Sequence, residues 1–187
     1  ENILLFTTHH IVMDGLSLEV FNEEFIKSYN SLNDAERQDD KKFQFKDYSE
    51  SINAELVINK TKNENFWVKY IKNYETKYSF ERDFINRKNN QQANSYTFEF
   101  VEDLTSNLKQ FCIARKVTLY TLLATSVNAL INTMSNHKDI IIGTVNSGRE
   151  LFELNGEIGM FVKTLLLRTQ INSNQTFIAL LDDVKSN

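Results

Sequence analysis

Four short stretches rich in β-branched, aliphatic and aromatic residues, 3–8, 95–101, 139–145 and 161–171, are separated by longer segments whose apolar residues recur at steps of three and four. Runs of that length suit strands and are too short for helices, whereas the longer spacing marks helices with one buried face. Strands alternating with helices restrict the chain to an α/β fold. The 95–101 stretch sets Tyr96, Phe98 and Phe100 against Thr97 and Glu99, which predicts a half-buried strand. The runs 139–145, with Ile140-Ile141-Ile142 before Gly143, and 161–171 are apolar enough for central strands.

Between these runs lie the helices. After the Asp14-Gly15 turn signal, Ser17 is placed to cap a helix carrying Leu18, Phe21, Phe25 and Tyr29, widened by Val20 and Ile26 and reaching about Tyr29. Tyr48, Ile52 and Leu56, then Phe66, Trp67, Tyr70, Ile71 and Tyr74, predict two helices within 45–78. Leu104, Leu108, Phe111 and Cys112 trace another. Thr118 caps one more, which turns Leu119, Leu122, Leu123, Val127, Leu130, Ile131 and Met134 inward. The polar stretches 30–42 and 82–94 read as loops. There is no proline, so every turn is built from Gly, Asn, Asp or Ser.

The 187 residues suit one ordinary domain or two small ones. A net charge of −4, from 21 basic and 25 acidic side chains, gives no draw toward phosphate backbones or anionic lipid, which sets nucleic acid and membrane aside as partners. No apolar run approaches the ~18 residues of a membrane span. Cys112 is the single cysteine, which excludes an internal disulfide and suits a reducing compartment, the cytoplasm by default. The chain enters an apolar run at Ile3 without a Met start or charged leader, and so reads as an internal piece of a longer protein.

Chemistry concentrates in His9-His10-Ile11-Val12-Met13-Asp14-Gly15, at a corner where a strand gives way to a helix. Such a corner holds an imidazole rigidly, an Asp four residues on can fix the turn, and Gly15 supplies backbone freedom to turn back. An imidazole so held can take a proton from an amine, hydroxyl or thiol attacking a bound acyl group, a contribution of roughly 10²–10⁴-fold. The other candidates have plainer readings. Ser17 is a helix cap, and Cys112, on an apolar helical face, is a small core residue. His137 lies between Asn136 and Lys138 in a polar loop, which leaves no metal-ligand set.

The motif resembles the HHxxxDG signature of the condensation domains of nonribosomal peptide synthetases, within the chloramphenicol acetyltransferase-like superfamily. Three further stretches match that family in order. Phe45-Lys46-Asp47-Tyr48-Ser49 is similar to its Y-x-D-[FY]-[SA] block, and Ile142-Gly143-Thr144-Val145 with Gly148-Arg149 to its IGTP-x-x-GR stretch. Ile158-Gly159-Met160-Phe161-Val162-Lys163-Thr164 with Arg168 is similar to its IGxFVNT-x-x-x-R block. Single-domain acetyltransferases of the superfamily carry the motif near the C-terminus; here most of the chain follows it, which favours the synthetase family.

The resemblance implies an α/β, chloramphenicol acetyltransferase-like fold, with residues 1–58 closing an N-terminal lobe and 59–187 forming part of a C-terminal lobe. It implies amide formation between donor and acceptor substrates, each a thioester on the phosphopantetheine arm of a peptidyl carrier protein, with adjacent synthetase domains as further partners and no cofactor or metal bound by the domain itself. His10 takes the catalytic place, deprotonating or orienting the acceptor amine, while His9 and Asp14 are structural. Gly15 is placed to offer a backbone N–H to the developing oxyanion. The family pairs this Asp with an Arg of the N-terminal lobe, for which Arg149 and Arg168 are the substitutes present; with Lys163 they are the candidate channel or supporting residues. The chain departs from the pattern at Lys163, where Asn is usual, at Val145, where Pro is usual, and at Leu18, where epimerization domains have Trp. Two other readings stand beside the condensation reading: an ester-forming acyltransferase, which the four blocks do not separate from amide formation, and a carrier-protein docking module without turnover, against which the intact motif weighs.

Overall fold

A computed structural model describes residues 3–31, 43–75 and 95–187. In chain order the elements are α1 (Gly15–Asn30), α2 (Phe45–Ile58), α3 (Lys60–Ile71), α4 (Glu102–Arg115), α5 (Leu119–Ser135), β1 (Asp139–Asn146), a 3-10 turn (Phe152–Gly156), β2 (Lys163–Gln170) and α6 (Phe177–Ser186). Two compact units divide them: Glu1–Lys72 with Thr144–Leu165, and Asn73–Gly143 with Leu166–Asn187. Most of the expected loop at 30–42, and all of that at 82–94, lies outside the described residues.

In the first unit the aromatic spacing of α1 shows directly in its packing. Phe6 stacks on Phe21 at 4.3 Å between ring centroids, Phe21 on Phe25 at 6.0 Å and Phe25 on Tyr29 at 6.4 Å. α2 opens with a reciprocal cap, in which the Gln44 N–H donates to Asp47 Oδ2 at 2.9 Å and the Gln44 side chain accepts from the backbone of Asp47. Asn59 alone separates α2 from α3, so both expected helices form.

The second unit holds two apolar clusters. Cys112, Leu122 and Leu181 pack with Leu108, Phe111 and Val117; Ala124, Leu180 and Val184 pack with Ala129, Ile142, Leu167 and Ile171. Cys112 is therefore part of the core. Thr118 caps α5, its Oγ1 accepting from Thr121 N–H at 3.0 Å, and Asn136 ends the helix in the left-handed region. α6, which the sequence reading passed over, is capped by Thr176 and turns Leu180, Leu181 and Val184 inward. Ile171 N–H donates to Lys138 O at 2.6 Å, so the start of β1 lies beside the end of β2 and the pair is antiparallel.

Three expectations need correction. Stretches 3–8 and 95–101 form no strand, and Ile3 and Tyr96 are 91% and 88% exposed. A strand exists only when a neighbour takes up its backbone groups, and among the described residues β1 and β2 pair with each other alone, so they are not central strands either. The buried face of α5 is Leu122, Ala124, Thr125 and Asn128, whereas Leu119, Leu123, Val127, Leu130 and Met134 are exposed. Close packing against α4 and α6 selects the small side, whose polar groups bond back into the helix: Thr125 donates to Thr121 O at 2.7 Å and Asn128 Nδ2 to Ala124 O at 2.9 Å, while Asn128 Oδ1 is buried without a partner among the described residues. Leu181, fully buried where α4, α5 and α6 meet, should cost about 2–5 kcal/mol when replaced by Ala, read as a lower urea midpoint at unchanged slope.

Candidate active site

Residues 9–12 form a tight turn closed by Val12 N–H donating to His9 O at 3.0 Å. Both imidazoles are exposed, and each uses Nδ1, but in opposite senses. His9 Nδ1 accepts from Ile11 N–H at 3.1 Å, so neutral His9 carries its hydrogen on Nε2. His10 Nδ1 lies 3.0 Å from Met13 O. A carbonyl oxygen only accepts, so His10 carries its hydrogen on Nδ1 and presents the Nε2 lone pair outward. Adjacent histidines thus become chemically distinct, His9 a donor and His10 an acceptor.

Beneath this turn sits Asp14, 2% exposed and fully used. Its Oδ1 accepts from Ser17 N–H at 2.8 Å, Ser17 Oγ at 2.7 Å and Arg149 Nη2 at 3.2 Å; its Oδ2 accepts from Phe161 N–H at 3.1 Å. Asp14 is therefore the N-cap of α1, which corrects the assignment of that role to Ser17. Ser17, fully buried, does something else. Its Oγ accepts from Arg149 Nη2 at 2.8 Å and Gly159 N–H at 3.0 Å, and lies 2.7 Å from Gly159 O. With one hydroxyl hydrogen and two lone pairs, it ties the start of α1 to residues 149 and 159. Gly15 is not used for its backbone freedom: its φ is ordinary, and a side chain there would meet nothing within 4 Å. Its N–H, the first of α1, makes no hydrogen bond among the described residues.

Arg149 is the buried counter-ion of Asp14. Its Nη1 donates to the carbonyls of Leu154 and Glu157, the latter at 2.9 Å, and its guanidinium lies 4.2 Å from the centre of the Phe161 ring. Phe161 meets Phe45 edge-on at 5.0 Å and Tyr48 at 4.9 Å. All four sequence blocks thus converge around Asp14. Two glycines permit the approach. At Gly148, with φ of 67°, a Cβ would lie 1.9 Å from Phe161 O, and at Gly159 it would lie 2.2 Å from the Phe45 ring.

Arg168 takes a different partner, donating from Nε to Asp139 Oδ1 at 2.9 Å, and belongs to the β1–β2 pair. Lys163 opens β2 and makes no hydrogen bond to the Asp14 cluster. His137 follows the end of α5, its carbonyl accepting from Asn132 Nδ2 at 2.7 Å. No three His, Cys, Asp or Glu side chains gather as a metal site among the described residues. The sequence reading missed Ser17 as a junction, together with Gly159 as its partner and Phe161 as a backbone donor to Asp14. The signal was there: a small polar residue three after the capping Asp, and a glycine before an aromatic in a matched block.

Burial pushes the Asp14 carboxyl up, but the hydrogen bonds from Ser17, Phe161 and Arg149 outweigh it and hold the group below its ordinary value of 3.8. Asp139 is also held low, chiefly by its hydrogen bond from Arg168 against an opposing burial effect.

The exposed His10 and the buried, fully hydrogen-bonded Asp14 belong to one motif at the start of α1, in a mixed fold of six helices and one antiparallel β1–β2 pair among the described residues. The sequence model of the Condensation domain matches residues 1–187, and the chain belongs to that family. It is 32% identical over 189 residues to bacitracin synthase 2 of Bacillus licheniformis, covering 100% of this chain and 7% of that protein. It superposes on a four-domain nonribosomal peptide synthetase solved with AMP and glycine (TM-score 0.77, 21% identity), covering 93% of this chain and 13% of that one. It also superposes on the X-domain of teicoplanin biosynthesis, solved in complex with OxyB (TM-score 0.77, 18% identity), covering 96% and 41%.

Because Asp14 stabilises the fold through its charged form, its contribution is complete above 3.8 and is lost as pH falls through its lower folded value. Thermal melts taken from neutral pH downward should show an acid limb that is shallower in Asp14→Asn, though still present because Asp139 contributes in the same range. Superimposable limbs would remove the ionic role of Asp14.

Proposed function

We propose that this chain supplies the base-bearing part of an enzyme that forms an amide between two carrier-bound substrates. The observation that carries the reading is His10: its Nδ1 hydrogen is committed to Met13 O, so the exposed Nε2 is a ready proton acceptor. The acceptor amine attacks the donor thioester carbonyl, the C–N bond forms, and Nε2 takes the amine proton. The C–S bond then breaks, and the proton passes to the leaving thiolate. Gly15 N–H, with no other partner among the described residues, is the group assigned to the oxyanion. His9 and Asp14 shape the turn, and Arg149 holds Asp14. Lys163 is assigned to the substrate channel, and Arg168 acts through β2.

Both substrates arrive on phosphopantetheine arms of donor and acceptor carrier proteins, with neighbouring synthetase domains as further partners, in the cytoplasm. Family membership and the relatives' synthetase names support the carrier-protein and synthetase-domain partners. The test is a single-turnover assay on the full chain carrying residues 1–187, with loaded donor and acceptor carrier proteins and mass spectrometry of the acceptor arm. His10→Ala should lower transfer by roughly 10²–10⁴-fold while leaving the melting temperature unchanged. Undiminished transfer would overturn the base assignment. Transfer to a hydroxyl acceptor alone would mark an ester-forming enzyme, and carrier binding without transfer a docking module.

A further inference from the structure

Among the described residues the exposed His10 ring has one hydrogen bond to aim it, the one from Nδ1 to Met13 O. What aims that carbonyl is therefore what aims the base. Met13 O and Asp14 N belong to one planar trans peptide, in which C=O and N–H point in opposite directions, so fixing one end fixes the other. The Asp14 N–H donates to Gly159 O at 3.2 Å. Gly159 is in turn gripped by Ser17 Oγ, which accepts its N–H and sits 2.7 Å from its carbonyl, and Phe45 closes the space beside its Cα. A continuous hydrogen-bonded path thus runs from His10 Nδ1–H through the Met13–Asp14 peptide to Gly159, each link polarising the next.

We propose that Ser17 and Gly159 are positioning residues for His10: Ser17 holds the Gly159 peptide, which through the Asp14 N–H fixes the Met13 carbonyl that sets both the direction and the tautomer of the imidazole. Ser17 need not touch substrate for this. Its cap-side role is separable in part: the capping bond from Ser17 N–H to Asp14 survives in Ser17→Ala, whereas the Oγ bonds to Asp14, Arg149 and Gly159 are lost together. His9 provides an internal reference, since its Nδ1 is held by Ile11 N–H within the turn and not through Gly159.

The proposal deepens the reading of His10 as base and rests on it for its catalytic consequence, but positioning is measured without turnover. In the full chain labelled with ¹⁵N-histidine, His10 should show a protonated Nδ1 and a free Nε2. Ser17→Ala should move His10 toward a mixture of tautomers with the His9 pattern unchanged, and should slow transfer by roughly tenfold to a hundredfold at unchanged carrier binding. A His10 pattern identical in folded Ser17→Ala overturns the proposal, as does an equal change at both histidines, which would mean general loosening. Should that variant fail to fold, the wild-type chain decides. The Gly159 carbonyl ¹³C signal should follow the protonation of His10, in a step that is absent from His10→Ala. Asp14, which also borders this path and is held below its ordinary value, keeps its own acid step in both proteins, and His9 is followed by its own signal. A Gly159 carbonyl that ignores His10 overturns the proposal. A tautomer change without loss of transfer upholds the positioning and instead removes the base role.

Discussion

Everything distinctive in this structure is arranged around one carboxylate. Asp14 is out of water and accepts four hydrogen bonds, from the helix it caps, from the hydroxyl of that helix, from a guanidinium and from the Phe161 backbone. A buried charge is tolerated only when paired and fully hydrogen-bonded, so each of those donors has to be in place at once. The same condition explains why Gly148 and Gly159 tolerate no side chain: the segment bearing Phe161 must come close enough for its N–H to reach Asp14. Removing Arg149 would leave the charge short of a partner, a change of the kind that costs about 3–5 kcal/mol, whereas exposed pairs such as Lys46–Glu50 contribute little.

Much of this was legible in the residues. Helical spacing located α1 to α5, Thr118 announced its cap, and the runs at 139–145 and 161–171 became β1 and β2. Local chemistry decides such features, so local sequence reports them. The failures all have a partner distant in sequence. Whether 3–8 or 95–101 is a strand depends on who accepts its backbone bonds, and the face α5 buries depends on α6, an element the apolar period at 177–184 would have revealed.

The site was legible as a motif and not as a geometry. His10, Asp14 and the four blocks could be singled out, and Arg149 was one of two candidate partners for Asp14. Choosing between Arg149 and Arg168 required knowing that Asp139 already occupies the second. The exchange of roles between Asp14 and Ser17 has a similar origin: either can cap a helix, and only the arrival of Gly159 and Arg149 gives the hydroxyl another task.

The residues that meet at Asp14 are far apart along the chain, 135 positions to Arg149 and 147 to Phe161. Synthesis on a ribosome proceeds at roughly 5–20 residues per second, so the histidine turn emerges on the order of ten seconds before the residues that complete it. During that interval the carboxylate has no guanidinium and the Met13–Asp14 peptide has no Gly159 to hold. Competence to accept a proton in a defined direction is consequently acquired at the end of folding, and a chain interrupted before residue 161 retains the whole motif without the setting that orients it.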